Sequence, residues 1–281
     1  MKIKHIIILV KFILISAISL GQNIPYGNNP AAGKYIDIAN AKLYYEVYGS
    51  GTPLLLLHGD TFGYIDEFAQ YLPLLSKHFK VIAVGMRGHG KSELGSRSLS
   101  YQQFAEDAMT ILKKEKHDTA FVMGFSAGAI TAYYLAAYFP EEIKKVVALG
   151  GMIDPSGYFP ASFEELKKLT AEDCEKMLPG LVASRKELMP KSHTYEELIE
   201  ALRASWLQET YMDQDKIASI KCPVLNIGGD SDNYIDPVGL AKIHQMIPNS
   251  QLAILPNCSH VGLILKPDML EELILPFLQA K

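Results

Sequence analysis

Six short and almost wholly apolar runs punctuate this chain: Pro53–Leu57, Val81–Val84, Ala120–Met123, Val146–Leu149, Val224–Ile227 and Leu252–Leu255. Runs of this length with no polar alternation suit strands buried on both faces, as the interior of a parallel sheet requires. Segments of helical period lie between and after them: Glu67–His78, Ser100–Lys114, Ala127–Phe139 and Met269–Gln279. Strand alternating with helix predicts an α/β fold, a doubly wound and mostly parallel sheet covered on both faces. Ahead of the first run, Tyr35–Tyr48 alternates loosely and breaks at Ala39-Asn40, which predicts a hairpin. The Gly/Asn/Pro-rich stretch Tyr26–Gly33 reads as loop.

One interval departs from the alternation. From about Met152 to Ile220 no strand-like run occurs, only helical stretches such as Phe163–Leu169 and Tyr195–Tyr211, punctuated by Pro155, Pro160, Pro179 and Pro190. It reads as a helical cap inserted between two strands, over the carboxyl ends of the sheet where open α/β folds bind ligands. The expected organisation is a leader over 1–21, core over 22–151, cap over 152–220 and core again over 221–281. The 281 residues suffice for one such domain with an insertion.

The leader rests on its own pattern. Lys2 and Lys4 precede an apolar run from Ile6 to Leu20, and Ser19-Leu20-Gly21 puts small residues before a cut at Gln22. That is the layout of a secretory signal peptide, so the protein is expected to be secreted or periplasmic, with no stable membrane association once the leader is removed. The alternative is an uncleaved anchor. Against it, the run falls short of the roughly 20 residues that span a bilayer, and Lys11 interrupts it. No cysteine stands at the cut to carry a lipid. Three cysteines are present. Cys222 opens one expected strand and Cys258 lies beyond the end of the next. Side-by-side parallel strands would hold their thiols about 20 Å apart, far beyond disulfide reach, and Cys174 has no evident mate.

The chemistry gathers in Gly124-Phe-Ser126-Ala-Gly128, a G-x-S-x-G pattern. Alone it is weak, since about one chain in ten of this length carries it by chance. Here a buried strand enters it and an Ala/Tyr-rich helix leaves it, the strand–turn–helix setting in which a serine hydroxyl stands clear at a helix amino end. A serine needs a base, and His260 follows the last expected strand. The base needs an acid to fix its tautomer, and Asp232 follows the preceding strand in Gly228-Gly-Asp-Ser-Asp232. Asp230 and Asp154 are alternative acids, while Asp236 reads as a loop or capping residue. The predicted partner is a small-molecule substrate. A net charge of −4 with no basic cluster argues against nucleic acid. There is no Walker loop, no G-x-G-x-x-G and no zinc-spaced His/Cys/Asp group, so no cofactor and no metal are expected.

Four landmarks occur in order: Leu57-His58-Gly59-Asp60, Arg87-Gly-His-Gly90-Lys-Ser92, the serine turn, and the paired acid and histidine loops. In these the chain resembles the α/β-hydrolase superfamily from about residue 35 to its end. It is especially similar to the small branch of esterases, enol-lactonases, cofactor-free haloperoxidases and C–C bond hydrolases with a helical cap. The resemblance implies an oxyanion hole made by the backbone N–H groups of Asp60 and Ala127. It also implies that His58 braces the oxyanion loop, that His89 packs a turn and that Arg87 is structural rather than substrate-binding. The sequence departs from the family pattern at Gly85, where an acidic residue is usual, at Ser259, where glycine is common, and at Asp60, a site more often apolar.

The implied activity is hydrolysis of a small ester or lactone through an acyl-serine intermediate. A proline-iminopeptidase-like amide hydrolase with the same triad is a second reading, kept open by Asp60 as a possible seat for a substrate ammonium. A catalytically silent binding protein on the same fold is a third. In the cap, Trp206, Tyr158, Phe159, Tyr195 and Tyr211 are expected to be core, with one or two lining an acyl pocket. His78, His117, His193 and His244 read as surface positions.

Overall fold

The computed structural model describes residues 24–280 except residues 39 and 209. The export leader expected over 1–21 and the hairpin break expected at residue 39 lie outside the described residues. Eight strands form one sheet in the order β1-β2-β4-β3-β5-β6-β7-β8. They are β1 (Gly33–Ile38), β2 (Ala41–Tyr48), β3 (Pro53–Leu57), β4 (Lys80–Val84), β5 (Ala120–Phe125), β6 (Ile143–Leu149), β7 (Val224–Gly229) and β8 (Ser250–Leu255). The opening hairpin β1–β2 is antiparallel and joins β4 antiparallel; β4, β3, β5, β6, β7 and β8 pair in parallel.

The apolar runs are buried on two sides because their side chains alternate between two cores. Leu55 and Leu57 of β3 join one cluster, Leu54 and Leu56 the other. Val146 and Ala148 of β6 face the first, Val147 and Leu149 the second. The first core is closed by α2 (Tyr101–Lys114) and α3 (Ala127–Tyr138) and by residues of α9 (Pro237–Met246); the second by α1 (Leu72–His78) and the C-terminal helix α10 (Leu275–Gln279). Helix α2 starts where Ser100 accepts a hydrogen bond from the Gln103 N–H. Its buried Phe104, Ala108, Ile111 and Leu112 recur at the spacing of one helical face.

Several expectations change. Leu252–Leu255 is not doubly buried: β8 is the outermost strand, and its Ile254 is exposed. The helix expected over 67–78 divides into a 3-10 turn, Ile65–Phe68, and α1. Pro73 sits in the first turn of α1, where its missing N–H costs nothing. Pro276 likewise lies at the start of α10, preceded by a π-helical turn over Leu270–Ile274.

Between β6 and β7 the described residues are helical, without a strand: α4 (Pro160–Leu166), α5 (Ala171–Met177), α6 (Pro179–Leu188), α7 (Tyr195–Trp206) and α8 (Gln214–Ala218). The prolines explain the punctuation, since Pro155 opens a 3-10 turn and Pro160 and Pro179 open α4 and α6. Thr170 with Asp173 and Thr194 with Glu197 form reciprocal capping boxes that start α5 and α7. The helix expected to reach Tyr211 ends at Trp206 because the Tyr211 and Met212 N–H groups turn back to donate to the Ile153 carbonyl, at 2.9 Å each. Among the described residues no helix is long and apolar enough to cross a membrane. All three cysteines are free.

Candidate active site

The turn after β5 is shaped by backbone crowding. Ser126 has φ 53° and ψ −116°, a region that non-glycine residues seldom enter. Its N–H donates to the Leu149 carbonyl of neighbouring β6 at 2.8 Å, and its carbonyl accepts from Ala129 and Ile130. The two motif glycines are required by close approach. A Cβ on Gly124 would lie 2.1 Å from the Gly128 carbonyl oxygen, and one on Gly128 would lie 2.1 Å from the Leu57 carbonyl oxygen. The start of α3 therefore presses against the end of β3. This brings residues 58–60 beside residues 125–127, since Leu57 and Gly124 are register partners.

Strain of this kind, on the order of 1–3 kcal/mol, persists only where the surroundings impose it, and it concentrates at functional positions. Ser126 is only partly buried. It heads a helix whose first N–H groups have no partner within the helix. Among the described residues neither the Ala127 nor the Asp60 N–H donates to another group. Both are left free to face a ligand oxygen.

His260 lies on the loop after β8 and Asp232 on the loop after β7. Its Nδ1 donates to Asp232 Oδ2 at 2.8 Å, and both residues are buried. The other carboxylate oxygen, Oδ1, accepts from the Tyr234 and Ile235 N–H groups at 2.8 and 2.9 Å. Asp232 is thus held from one side while it holds the imidazole from the other, leaving Nε2 for exchange. The imidazole ring packs 4.9 Å from the ring of Phe125. It also covers Gly150, whose hypothetical Cβ would be 2.9 Å from His260 Cε1. Phe125 precedes Ser126 and Gly150 follows the carbonyl bonded to Ser126, so the serine and the histidine share one small region.

The competing acids are engaged elsewhere. Asp154 accepts from the Ser156 N–H, and Asp236 caps α9 through the Val238 N–H. Asp230 accepts from Ser231 and from the Cys258 N–H. Ser259 accepts from the Gly262 N–H, so it opens the 3-10 turn Val261–Ile264 behind the histidine.

The loop after β3 is braced from two sides. His58 Nε2 accepts from the Met86 N–H at 2.9 Å, so its Nδ1 carries the proton and donates to the Gly59 carbonyl at 2.7 Å. Burial holds this imidazole well below its ordinary range, and pushes that of His89 down to about 4. Glu67, which sequence reasoning did not single out, accepts from the Gly59 N–H at 2.7 Å. Burial pushes its carboxyl up to about 8, so protonated Glu67 carries no charge beside the loop near neutrality. No sequence pattern marks it, because its partner is a backbone amide eight positions earlier. Arg87 is fully buried and forks onto Asp107 at 2.6 and 2.9 Å, a structural pairing. Gly85 leaves room for Tyr64, whose ring would be 2.8 Å from a Cβ there.

The helical insertion lands on these loops. Trp206 Nε1 donates to Asp60 Oδ2 at 2.8 Å, Tyr195 Oη to the Thr61 carbonyl at 3.1 Å, and Arg185 Nε to the Phe62 carbonyl at 2.9 Å. His193, expected at the surface, is instead buried with Nε2 donating to the Gly88 carbonyl at 3.0 Å. Burial pushes the Asp60 carboxyl up to about 6, opposed by the Trp206 hydrogen bond. Among the described residues no group of three or more His, Cys, Asp or Glu is placed to hold a metal ion.

Comparison with known proteins agrees with this architecture. A family model described as the alpha/beta hydrolase fold matches residues 52–186. The serine hydrolase BPHL of Homo sapiens is 26% identical over 282 residues, covering 95% of each chain. The pimeloyl-[acyl-carrier protein] methyl ester esterase of Pectobacterium atrosepticum is 23% identical, covering 85% of this chain and 100% of its own. The crystal structure of the enol-lactonase from Burkholderia xenovorans superposes with a TM-score of 0.70 at 22% identity, covering 88% of this chain and 100% of its own.

Proposed function

Because the chain belongs to the α/β-hydrolase superfamily, we propose that it is a serine hydrolase that cleaves small esters or lactones through an acyl-serine intermediate. The observation that carries this reading is the Asp232–His260 pair, packed against Phe125 and Gly150 on either side of the strained turn that presents Ser126. In the proposed cycle His260 Nε2 removes the Ser126 proton as the hydroxyl attacks the carbonyl carbon. The Asp60 and Ala127 N–H groups stabilise the negative oxygen of the tetrahedral intermediate. His260 then passes its proton to the departing alkoxide, and a water deprotonated by Nε2 releases the acid. Asp232 holds the imidazole in the Nδ1–H tautomer and balances its charge while it is protonated. No cofactor enters the sequence of steps.

Ester over amide is supported by the similarity to a methyl ester esterase and an enol-lactonase. The helical insertion over residues 152–220 is proposed as the cap that sets the acyl pocket. A series of p-nitrophenyl esters from acetate to decanoate, with simple lactones alongside, tests the reading. Turnover of the short members with saturation is expected. Absence of turnover on every ester and lactone would reject it.

Export is part of the same proposal, supported by Lys2, Lys4, the apolar run to Leu20 and the small residues before Gln22. Amino-terminal sequencing of the protein recovered outside the cytoplasm should begin at Gln22. Recovery of a chain beginning at Met1 from the cytoplasm would contradict it.

A further inference from the structure

We propose that Asp60 and the aromatic side chains around it form a subsite for a substrate ammonium group carried close to the scissile carbonyl. The inference rests on the serine-hydrolase reading for its chemistry, and names the substrate class: esters whose acyl part is a small amino acid or another short amine.

The first observation is a charge without a partner. Asp60 Oδ2 accepts from the Trp206 indole, but Oδ1 is buried with no hydrogen-bond partner. Among the described residues no lysine, arginine or histidine forms an ion pair with it. Buried carboxylates are ordinarily paired, because taking an ion out of water costs several kcal/mol that only a counter-charge or donors recover. The neighbouring Asp66 shows the ordinary solution, a counter-charge: its Oδ2 accepts from Arg185 Nη1 at 2.9 Å. Asp60 lacks that solution.

A second and independent observation concerns what surrounds it. Tyr101 is buried, and its hydroxyl also has no partner. Its ring meets that of Tyr211 edge to face at 5.1 Å, and Tyr211 is tied to Trp206 through a hydrogen bond from its hydroxyl to the Trp206 carbonyl at 2.9 Å. A carboxylate bonded to the Trp206 indole, with Tyr211 and Tyr101 packed in turn behind that side chain, offers a cation an ion pair next to an aromatic cluster. An anionic group would be repelled there, and an apolar one would leave Oδ1 without a partner.

The placement is what ties this subsite to catalysis. The N–H of Asp60 is the proposed oxyanion donor, and its carboxylate belongs to the same residue. A cation on Oδ1 therefore lies within one residue's reach of the carbonyl oxygen held by the N–H. This matches an amino group on the first or second carbon beyond the carbonyl. The same charge is unfavourable beside a developing oxyanion unless it is neutralised, so the ammonium both binds and removes a repulsion. Because Oδ1 has no contact with solvent, admission requires the insertion to yield at the Trp206–Asp60 hydrogen bond.

Two esters that differ by one group test this: the benzyl esters of alanine and of isobutyric acid, in which ammonium replaces methyl. The readout is the ratio of their kcat/KM values in the wild-type protein and in Asp60→Asn, which retains an acceptor for Trp206. Intrinsic reactivity cancels between the two proteins. The ratio is expected to fall at least about tenfold in Asp60→Asn, the lower range for a buried charge pair. An unchanged ratio would overturn the proposal. A binding arm needs neither turnover nor the Asp60 variant. In Ser126→Ala, alaninamide and isobutyramide are titrated while the emission of Trp206, the only tryptophan of the chain, is followed. At least about tenfold tighter binding of alaninamide is expected, and equal binding would overturn the proposal. Discrimination in binding with no hydrolysis of either ester would leave the ammonium subsite standing and reject the hydrolase reading instead.

Discussion

Replacing Ser126 with alanine is expected to lower kcat on a short p-nitrophenyl ester by at least about 10⁴-fold while the fold survives. Alanine keeps the Cβ that serine already fits at φ 53°. The turn then has no new strain to absorb and no strain released. The N–H bond to the Leu149 carbonyl and the packing of Gly124 and Gly128 do not involve the hydroxyl. A shift in Tm below about 2 °C is therefore expected. Residual hydrolysis would come from water attacking a carbonyl already polarised by the Asp60 and Ala127 N–H groups. Retention of more than about a tenth of the wild-type kcat would remove Ser126 from the chemistry.

The second large effect is expected from Asp232→Asn, a drop in kcat of about 10⁴-fold with little change in the fold. The Tyr234 and Ile235 N–H groups fix one side-chain oxygen as acceptor. The asparagine must therefore keep its oxygen there and turn its NH₂ toward His260 Nδ1. An NH₂ facing Nδ1 favours the tautomer with the proton on Nε2. That tautomer has no lone pair with which to take the proton of Ser126. Asp230→Asn and Asp154→Asn should leave turnover near the wild-type level, because their carboxylates bond to loop groups rather than to His260. A large loss in Asp230→Asn with Asp232→Asn active would move the acid by two positions along the loop.

Much of the fold was legible because burial on both faces leaves a plain mark. Leu54, Leu55, Leu56 and Leu57 cannot alternate with polar residues when their neighbours on either side belong to two different cores. The edge strand β8 shows the limit of that signal, since Leu252–Leu255 is as apolar as the central runs and yet half exposed. Nothing local records whether another strand lies beyond it. In the insertion, Thr170-Ala-Glu-Asp173 and Thr194-Tyr-Glu-Glu197 carry the capping-box signature in the sequence. Reading it would have located the starts of α5 and α7. The end of α7 could not have been read in the same way, because it depends on the Ile153 carbonyl more than fifty residues away.

The candidate site divides along the same line. Ser126, Asp232 and His260 follow strand ends, and their order along the chain restates the order of the sheet. Glu67 was invisible because it answers a backbone N–H. The Trp206–Asp60 bond joins positions 146 residues apart. The G-x-S-x-G pattern marks the two glycines without naming what each one meets. The structure ties each to a particular carbonyl oxygen, Gly128 for one and Leu57 for the other.

The most direct measurement is the position of a covalent adduct after treatment of the folded protein with a fluorophosphonate. Peptide mass mapping should find one adduct, on Ser126, and none should form in Ser126→Ala or in the unfolded chain. No adduct on Ser126 in a protein that still hydrolyses esters, or an adduct on another residue, would contradict the assignment of Ser126 as the nucleophile.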